Sequence, residues 1–367
     1  MENGLNFNNL LTIWKRAAEQ HKIAWKNTFL QWRFEGKSRQ VWKNEKLLWQ
    51  LYTILYKNLH MPQFKSIFEL LAVFHTEQDI INHLEKQRWG EKVISPYDQN
   101  SKVYKCANNW YKCKNTGKLF NVKTGTIFAN TKLPLKKWFL ALYYFANNKK
   151  GISSCQLSKN LNITQKSAWN LLYDFRKNLK QTNLIKGILK GYVEVDETFI
   201  GGKNKNRHKD KKVPNSQGRS WKDKVPVLGI LERDGNLIAQ VVQNTQQNTI
   251  EPIIKEKVKE GSNVFTDEWF AYKDLSKWFN HQIVNHSIKQ YVNGKATTNA
   301  IENVWSHLKR TITNTYHWIS KKHLPKYVDE FTLRFNTRKY KERERFNFVL
   351  SAIVGKSLSY GELISIF

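Results

Sequence analysis

Three acidic residues occupy positions from which they could hold a metal ion. Asp196 lies within the apolar alternation of YVEVDETFI, Asp267 closes the run NVFTD, and Glu302 stands near the start of the helical segment NAIENVWSHLKR. Carboxylates suit hard divalent cations, and two such ions about 3.5 to 4 Å apart can cleave a phosphodiester, one activating the nucleophile and the other stabilising the leaving oxygen. Asp196 and Asp267 are 71 residues apart, and Asp267 and Glu302 are 35 apart. Lys309 follows Glu302 by seven residues, two helical turns less about 20°, so it shares a helix face with Glu302, Asn299 and Ser306. That face could ligate metal and steady a phosphate, while Trp305 and Leu308 pack the helix on a sheet. A single Asp or Glu is most simply a solvent-facing residue, so the weight rests on the three together. Alternation leaves Glu194 open beside Asp196, because both point to the same side of their strand.

The elements that would position these acids can be read from periodicity. After Gly191 the apolar period is two: YVEVDETFI, VPVLGILER, NLIAQVVQ, NVFTDEWF and QIVNH read as strands, with Asp234-Gly235 as a type I′ hairpin signal. A connecting helix around 250–259 and a long helix from Thr297 onward complete an α/β domain of roughly 150 residues. Residues 203–224 form a loop with nine Lys or Arg against Asp210 and Asp223. Its place directly after the Asp196 strand favours DNA contact through Lys203, Lys205 and Arg207.

Upstream, GISSCQLSKNLNITQKSAWNLLYDFRKNLK resembles a helix-turn-helix: a first helix from Ser153 or Ser154 to Leu161, a turn over Asn162 to Thr164, and a second helix from Gln165 to Lys177. Gln165, Lys166 and Asn170 would face a DNA major groove, and Ala168, Trp169, Leu171 and Leu172 would pack. An ordinary pair of core helices is the plain alternative. Residues 64–89 read as two short helices, the second with Thr76 as N-cap. VYKCANNWYKCKNTGKLFNVKTGTIF, rich in aromatic and β-branched residues between Gly and Asn turns, reads as a small β module. The first 60 residues hold five of the fourteen tryptophans but no motif.

Composition narrows the partner. Sixty-one Lys and Arg against thirty Asp and Glu give a formal charge of +31, which points to a polyanion and foremost to nucleic acid. Three cysteines without CxxC spacing give neither a disulfide framework nor an intact zinc site. No apolar run reaches the roughly 18 residues of a membrane span, and the N-terminus lacks the order of a signal peptide. A cytoplasmic, nucleoid-associated bacterial protein with no membrane partner is expected.

VEVDETFIGGK, VFTDEWFAY, NAIENVWSHLKR and YVDEFTLRFNTR, together with WGEKVISPYD and the segment from GTIF through SAWNLL, resemble the DDE transposases of a bacterial insertion-sequence group related to eukaryotic Merlin elements. The resemblance covers roughly residues 64 to 340. It implies an RNase H-like α/β catalytic domain, preceded by a zinc-ribbon-like β module and a helix-turn-helix. It assigns the acids to Asp196, Asp267 and Glu302 as catalytic and metal-ligating residues, with Mg²⁺ or Mn²⁺ as cofactor. It also implies double-stranded DNA as partner, both as terminal inverted repeats and as target, and a homo-oligomer on that DNA. One departure is plain. Where similar proteins place two CxxC pairs, Ser95 and Asp98 replace the first, and only Cys113 of the second remains, with Thr116 as its counterpart. No zinc is therefore expected, since a structural site takes four thiolate or imidazole ligands.

The expected organisation is an N-terminal extension (1–60), a helical pair with the degenerate zinc-ribbon-like module (61–130), a helix-turn-helix region (131–186), the RNase H-like domain (187–345) and a C-terminal tail (346–367). The expected activity is metal-dependent cleavage and strand transfer. Two alternatives are a catalytically silent DNA-binding protein or regulator derived from such an enzyme, and a structure-specific nuclease such as a junction resolvase.

Overall fold

The computed structural model describes residues 64–129, 131–179, 188–201, 208–214, 224–285, 288, 292 and 294–354. The N-terminal extension and the loop residues Lys203, Lys205 and Arg207 lie outside the described residues.

Two helices open the described chain, α1 (Ile67–Val73) and α2 (Glu77–Trp89). Thr76 caps α2 as expected, in a reciprocal capping box: its hydroxyl accepts from the Asp79 N–H while the Asp79 carboxylate accepts from the Thr76 N–H. A three-stranded antiparallel sheet follows, β1 (Val103–Lys105), β2 (Tyr111–Cys113) and β3 (Leu119–Phe120), in that order. Its small core is Tyr111, Cys113 and Phe120, with Trp89 of α2 against it. Such a module has little apolar area of its own.

Helix α3 (Leu135–Asn147) leads to α4 (Ser154–Leu161) and α5 (Gln165–Leu179). Ser153 caps α4, and Asn162 takes the left-handed conformation that ends it, with φ 49° and ψ 61°. The Thr164 hydroxyl accepts from the Ser167 N–H at 3.1 Å and starts α5. Two helices joined by a three-residue turn are present with nearly the expected boundaries.

The second half is a five-stranded mixed sheet formed by β4 (Tyr192–Ile200), β5 (Val225–Glu232), β6 (Leu237–Val241), β7 (Asn263–Thr266) and β8 (Asn280–Ile283). The spatial order is β6-β5-β4-β7-β8: β4 pairs antiparallel with β5 and β5 with β6, whereas β4, β7 and β8 run parallel. This mixed order is the RNase H-like arrangement. Helix α6 (Gln247–Lys257) covers one face through Ile250 and Ile254, against Val193, Val195, Leu228 and Ile230. On the other face, α7 (Asn299–Thr311) and α8 (Leu324–Asn336) bury Ile301, Val304, Trp305, Leu308, Leu324 and Val328 on Val227, Leu231 and Leu237. With both faces covered, β5 is buried from Pro226 to Leu231, and that stretch carries no polar side chain.

Three expectations need correction. The Asp234-Gly235 hairpin forms, but through the three residues Arg233, Asp234 and Gly235, and among them only Asp234 has a positive φ. A type I′ turn needs two such residues. The boundary at 345 falls inside a helix, α9 (Glu342–Val354), whose Phe346, Val349, Leu350 and Ile353 are buried among the helices upstream of the sheet. The i, i+3, i+4, i+7 pattern was present in ERERFNFVLSAIV, but the charges that open it disguised a core helix as a tail. That same core unites α1 and α2 with α3 to α5, so the division drawn at 130 separates elements that pack together.

Candidate active site

Asp196 sits on the central strand β4, and its side chain points to the face covered by α7. Its Oδ2 accepts a hydrogen bond from the Trp305 Nε1–H at 2.9 Å. Directly across the β4–β5 ladder is Gly229, and a Cβ there would stand 2.4 Å from the Trp305 ring. Glycine is therefore what lets the indole come close to β5 and reach Asp196. Sequence reasoning treated Trp305 as packing only. It packs, at 4 % exposure, and it also orients the first acid.

Asp267 follows the last residue of β7 and is 6 % exposed; its Oδ1 accepts from the Trp269 N–H at 3.1 Å. Glu302 lies on the exposed face of α7's first turn, and its Oε1 accepts from the Thr298 hydroxyl at 3.1 Å. Asn299, Ser306 and Lys309 share that exposed face, while Ile301, Val304, Trp305 and Leu308 are buried beneath it. The helix is amphipathic in the sense expected.

Asp196 senses the other two acids. Burial, the largest cause, and the neighbouring charges of Asp267 and Glu302 push the Asp196 carboxyl up to about 6, against the hydrogen bonds from the Glu197 backbone and Trp305, which act to lower it. Tyr272, fully buried just beyond Asp267, belongs to the same field. Burial first, then the charges of Glu197, Asp196 and Asp267, raise its phenol well above the ordinary value, so it stays a neutral O–H. Nothing in the sequence pattern singled it out, because an aromatic after an acidic strand end reads as core. Among the described residues no three His, Cys, Asp or Glu side chains are already gathered into a metal-holding cluster. The chemistry of the donor set still fits a hard divalent cation, whose charge would offset the repulsion from Asp267 and Glu302 that adds to burial in raising Asp196.

Glu194, left open by strand alternation, has a different task. Its carboxylate has no exposed surface, and both oxygens are engaged: Oε1 accepts from Arg233 Nε at 2.8 Å, and Oε2 from the N–H groups of Ala300 and Ile301, each at 3.0 Å.

On α5, Gln165, Lys166 and Asn170 are exposed. Gln165 Nε2 also donates to the Ser154 hydroxyl at 2.7 Å, which ties the two helices together. Trp169 departs from the expectation of packing: it is 37 % exposed beside Lys166 and Asn170, stacked on Tyr173 with ring centroids 5.2 Å apart.

Of the zinc-ribbon counterparts, Ser95 and Thr116 converge on Cys113, without the ligands zinc requires. Cys113 is buried, and hydrogen bonds from the side chains of Ser101, Ser95 and Thr116 pull its thiol down to about 6. The Ser95 hydroxyl accepts from the Tyr97 and Asp98 N–H groups, and Asp98 Oδ2 accepts from Asn115 Nδ2 at 2.7 Å. One thiol among hydroxyls and an engaged carboxylate is not a structural zinc donor set.

No helix among the described residues is long and apolar enough to cross a membrane. Residues 188–336 match the ISXO2-like transposase domain. A Haemophilus influenzae transposase-like protein is 38 % identical over 105 residues, covering 28 % of this chain and 83 % of that protein. An uncharacterised protein of the transposable element ISH50 from Halobacterium salinarum is 27 % identical over 278 residues, covering 72 % of this chain and 92 % of its own length. Among solved structures, a chain of the Mos1 strand transfer complex aligns at 13 % identity and a TM-score of 0.26, over 79 % of this chain and 96 % of that one. A chain of the simian T-cell lymphotropic virus intasome aligns at 11 % identity and a TM-score of 0.24, over 54 % and 65 %. The matched domain spans the whole mixed sheet with α7 and α8, and the chain belongs to the ISXO2-like transposase family.

Proposed function

We propose that this transposase binds the ends of a DNA element and cuts and rejoins phosphodiesters at Asp196, Asp267 and Glu302. The observation that carries this reading is the shared electrostatic field of three acids drawn from β4, the end of β7 and α7, in which Asp267 and Glu302 help push Asp196 up to about 6. These three side chains would hold Mg²⁺ or Mn²⁺, which supplies Lewis-acid polarisation of a phosphoryl oxygen and an acidified water when bound. The Trp305 N–H fixes the orientation of Asp196, and the Thr298 hydroxyl holds Glu302. Lys309, two turns along the same exposed face of α7, meets phosphate.

Double-stranded DNA is the substrate class. Gln165, Lys166 and Asn170 on α5 face a major groove at the element ends. Lys203, Lys205 and Arg207, with the net charge of +31, supply backbone contacts to ends and target. Bringing two ends together calls for a homo-oligomer on DNA. The test is to incubate the protein with DNA carrying its own gene and flanks, with Mg²⁺ or Mn²⁺, and map 3′-hydroxyl breaks beside an Asp196→Asn control. Breaks at inverted repeats that vanish in the control are expected; breaks that persist in the control would sink the assignment.

One observation favours a second reading, a silent DNA-binding derivative: Ser95, Asp98 and Thr116 stand with Cys113 where a zinc ribbon would have its ligands. Sequence-specific DNA binding without metal-dependent breaks would select it.

A further inference from the structure

The helix that carries Glu302 has no side-chain cap of its own. Thr298 occupies the cap position, but its hydroxyl donates to Glu302 instead of accepting from the helix. The N–H groups of the second and third helical residues, Ala300 and Ile301, are the ones an N-cap side chain ordinarily serves. Here both donate to Glu194, a residue more than 100 positions earlier on β4 and two residues before Asp196. The remaining first-turn N–H, that of Asn299, donates to the Thr297 hydroxyl at 3.1 Å. The helix N-terminus is thereby fixed to the strand that carries the first acid.

Arg233 completes the clamp. While its Nε holds Glu194, its Nη1 donates to the Lys295 carbonyl at 2.8 Å and its Nη2 to the Thr297 carbonyl at 3.3 Å, in the segment that enters α7. The guanidinium also lies 4.7 Å from the Phe265 ring centroid, and Phe265 is two residues before Asp267 on β7. One ion pair, its carboxylate fully buried and its arginine partly so, thus touches the elements that carry all three acids. A carboxylate with no exposed surface is costly to keep ionised without such donors, and the planar fork of arginine suits this many-sided role better than lysine.

We propose that Glu194, with Arg233, is the positioning residue of the acid site: it sets the reach from Asp196 to Glu302 by capping α7 from β4. This rests on the reading of the three acids as a metal-dependent centre. Glu194 does not ligate the metal, because both of its oxygens are committed to the clamp. Misplacing a reacting group by about 1 Å can cost on the order of 100-fold in rate, so the effect belongs in the chemical step and in metal affinity, and DNA affinity stays outside it.

The experiment compares wild type, Asp196→Asn, Glu194→Gln and Arg233→Lys by three readouts: DNA affinity, strand cleavage against Mg²⁺ and Mn²⁺ concentration, and the metal-induced rise in melting temperature. Glu194→Gln keeps the shape but presents an amide N–H₂ to donors. It is expected to bind DNA within about 2-fold of wild type, to cut roughly 100-fold more slowly, and to need at least about 5-fold more metal. Arg233→Lys, which keeps the charge and loses the fork, should fall between and serves if Glu194→Gln does not fold. Wild-type cleavage and metal requirement in both variants would overturn the proposal, as would loss of cleavage and DNA binding in equal proportion. If wild type fails to cut, the function proposed above fails separately. A metal-induced melting shift that is present in wild type and weakened in Glu194→Gln would then still uphold the positioning role, and its absence from wild type would overturn both.

Discussion

Replacing Asp196 by Asn should make the metal-free protein more stable at neutral pH. The carboxyl is pushed up from 3.8 to about 6, first by burial and then by the charges of Asp267 and Glu302. The folded state therefore holds its proton more tightly than the unfolded chain. The associated stability is complete below about pH 3.8 and is lost as pH rises through about 6. The gap is worth roughly 3 kcal/mol at about 1.4 kcal/mol per pH unit. Asparagine removes the charge while keeping a carbonyl oxygen that can accept from Trp305. In EDTA at pH 7.5, Asp196→Asn should gain up to about 3 kcal/mol, a melting shift on the order of 5 °C, and at pH 4 the two proteins should nearly coincide. Calorimetry at both pH values measures this directly. A less stable Asp196→Asn at pH 7.5, or a difference independent of pH, would refute the raised Asp196 carboxyl. Adding Mg²⁺ or Mn²⁺ should reverse the order by stabilising wild type alone.

Other expectations follow from packing and charge. Gly229→Ala should cost about 1 to 3 kcal/mol and slow any metal-dependent cleavage, because its Cβ meets the Trp305 ring and displaces the indole from Asp196. Urea unfolding and the cleavage assay test both halves. Glu330→Gln should destabilise by about 3 to 5 kcal/mol, since buried Glu330 neutralises both Arg176 of α5 and Arg334 of α8, each at 2.6 Å; a loss below 1 kcal/mol would contradict the network. Phe346→Ala should cost about 3 to 5 kcal/mol if α9 is core, and near-zero cost in denaturant titration would return the segment to a tail. DNA affinity should fall steeply with salt, and a flat log–log plot of binding constant against salt would remove phosphate contact as the use of the +31 charge.

Much of the site's scaffold was legible along the chain because its signals are local. Alternation gave β4, the apolar run before Asp234-Gly235 gave β5, the polar stripe of α7 gave the exposed face with Glu302 and Lys309, and the Ser153, Asn162 and Thr164 boundaries gave the helix pair. Residues 346–354 read as part of a tail because the first turn of α9 is charged, and only the depth of the core around Phe346 shows what its apolar stripe meets. The turn at Asp234 was read as a connector, although its neighbour Arg233 reaches inward to Glu194.

What sequence alone determined, then, were residue types and their faces: two carboxylates on one side of β4, a glutamate and a lysine on one side of α7, and an excess of cations that needs a polyanion. Periodicity records which way a side chain points, and it carries no information on what stands opposite. Tertiary structure decided that Glu194 caps a helix while Asp196 faces Trp305, that Gly229 makes room for that indole, and that Tyr272 enters the acids' field. Each of these depends on residues more than 30 positions apart brought together by the β4–β5 and β4–β7 pairings and the docking of α7, and a hydrogen bond or a charge interaction exists only once both partners are in place.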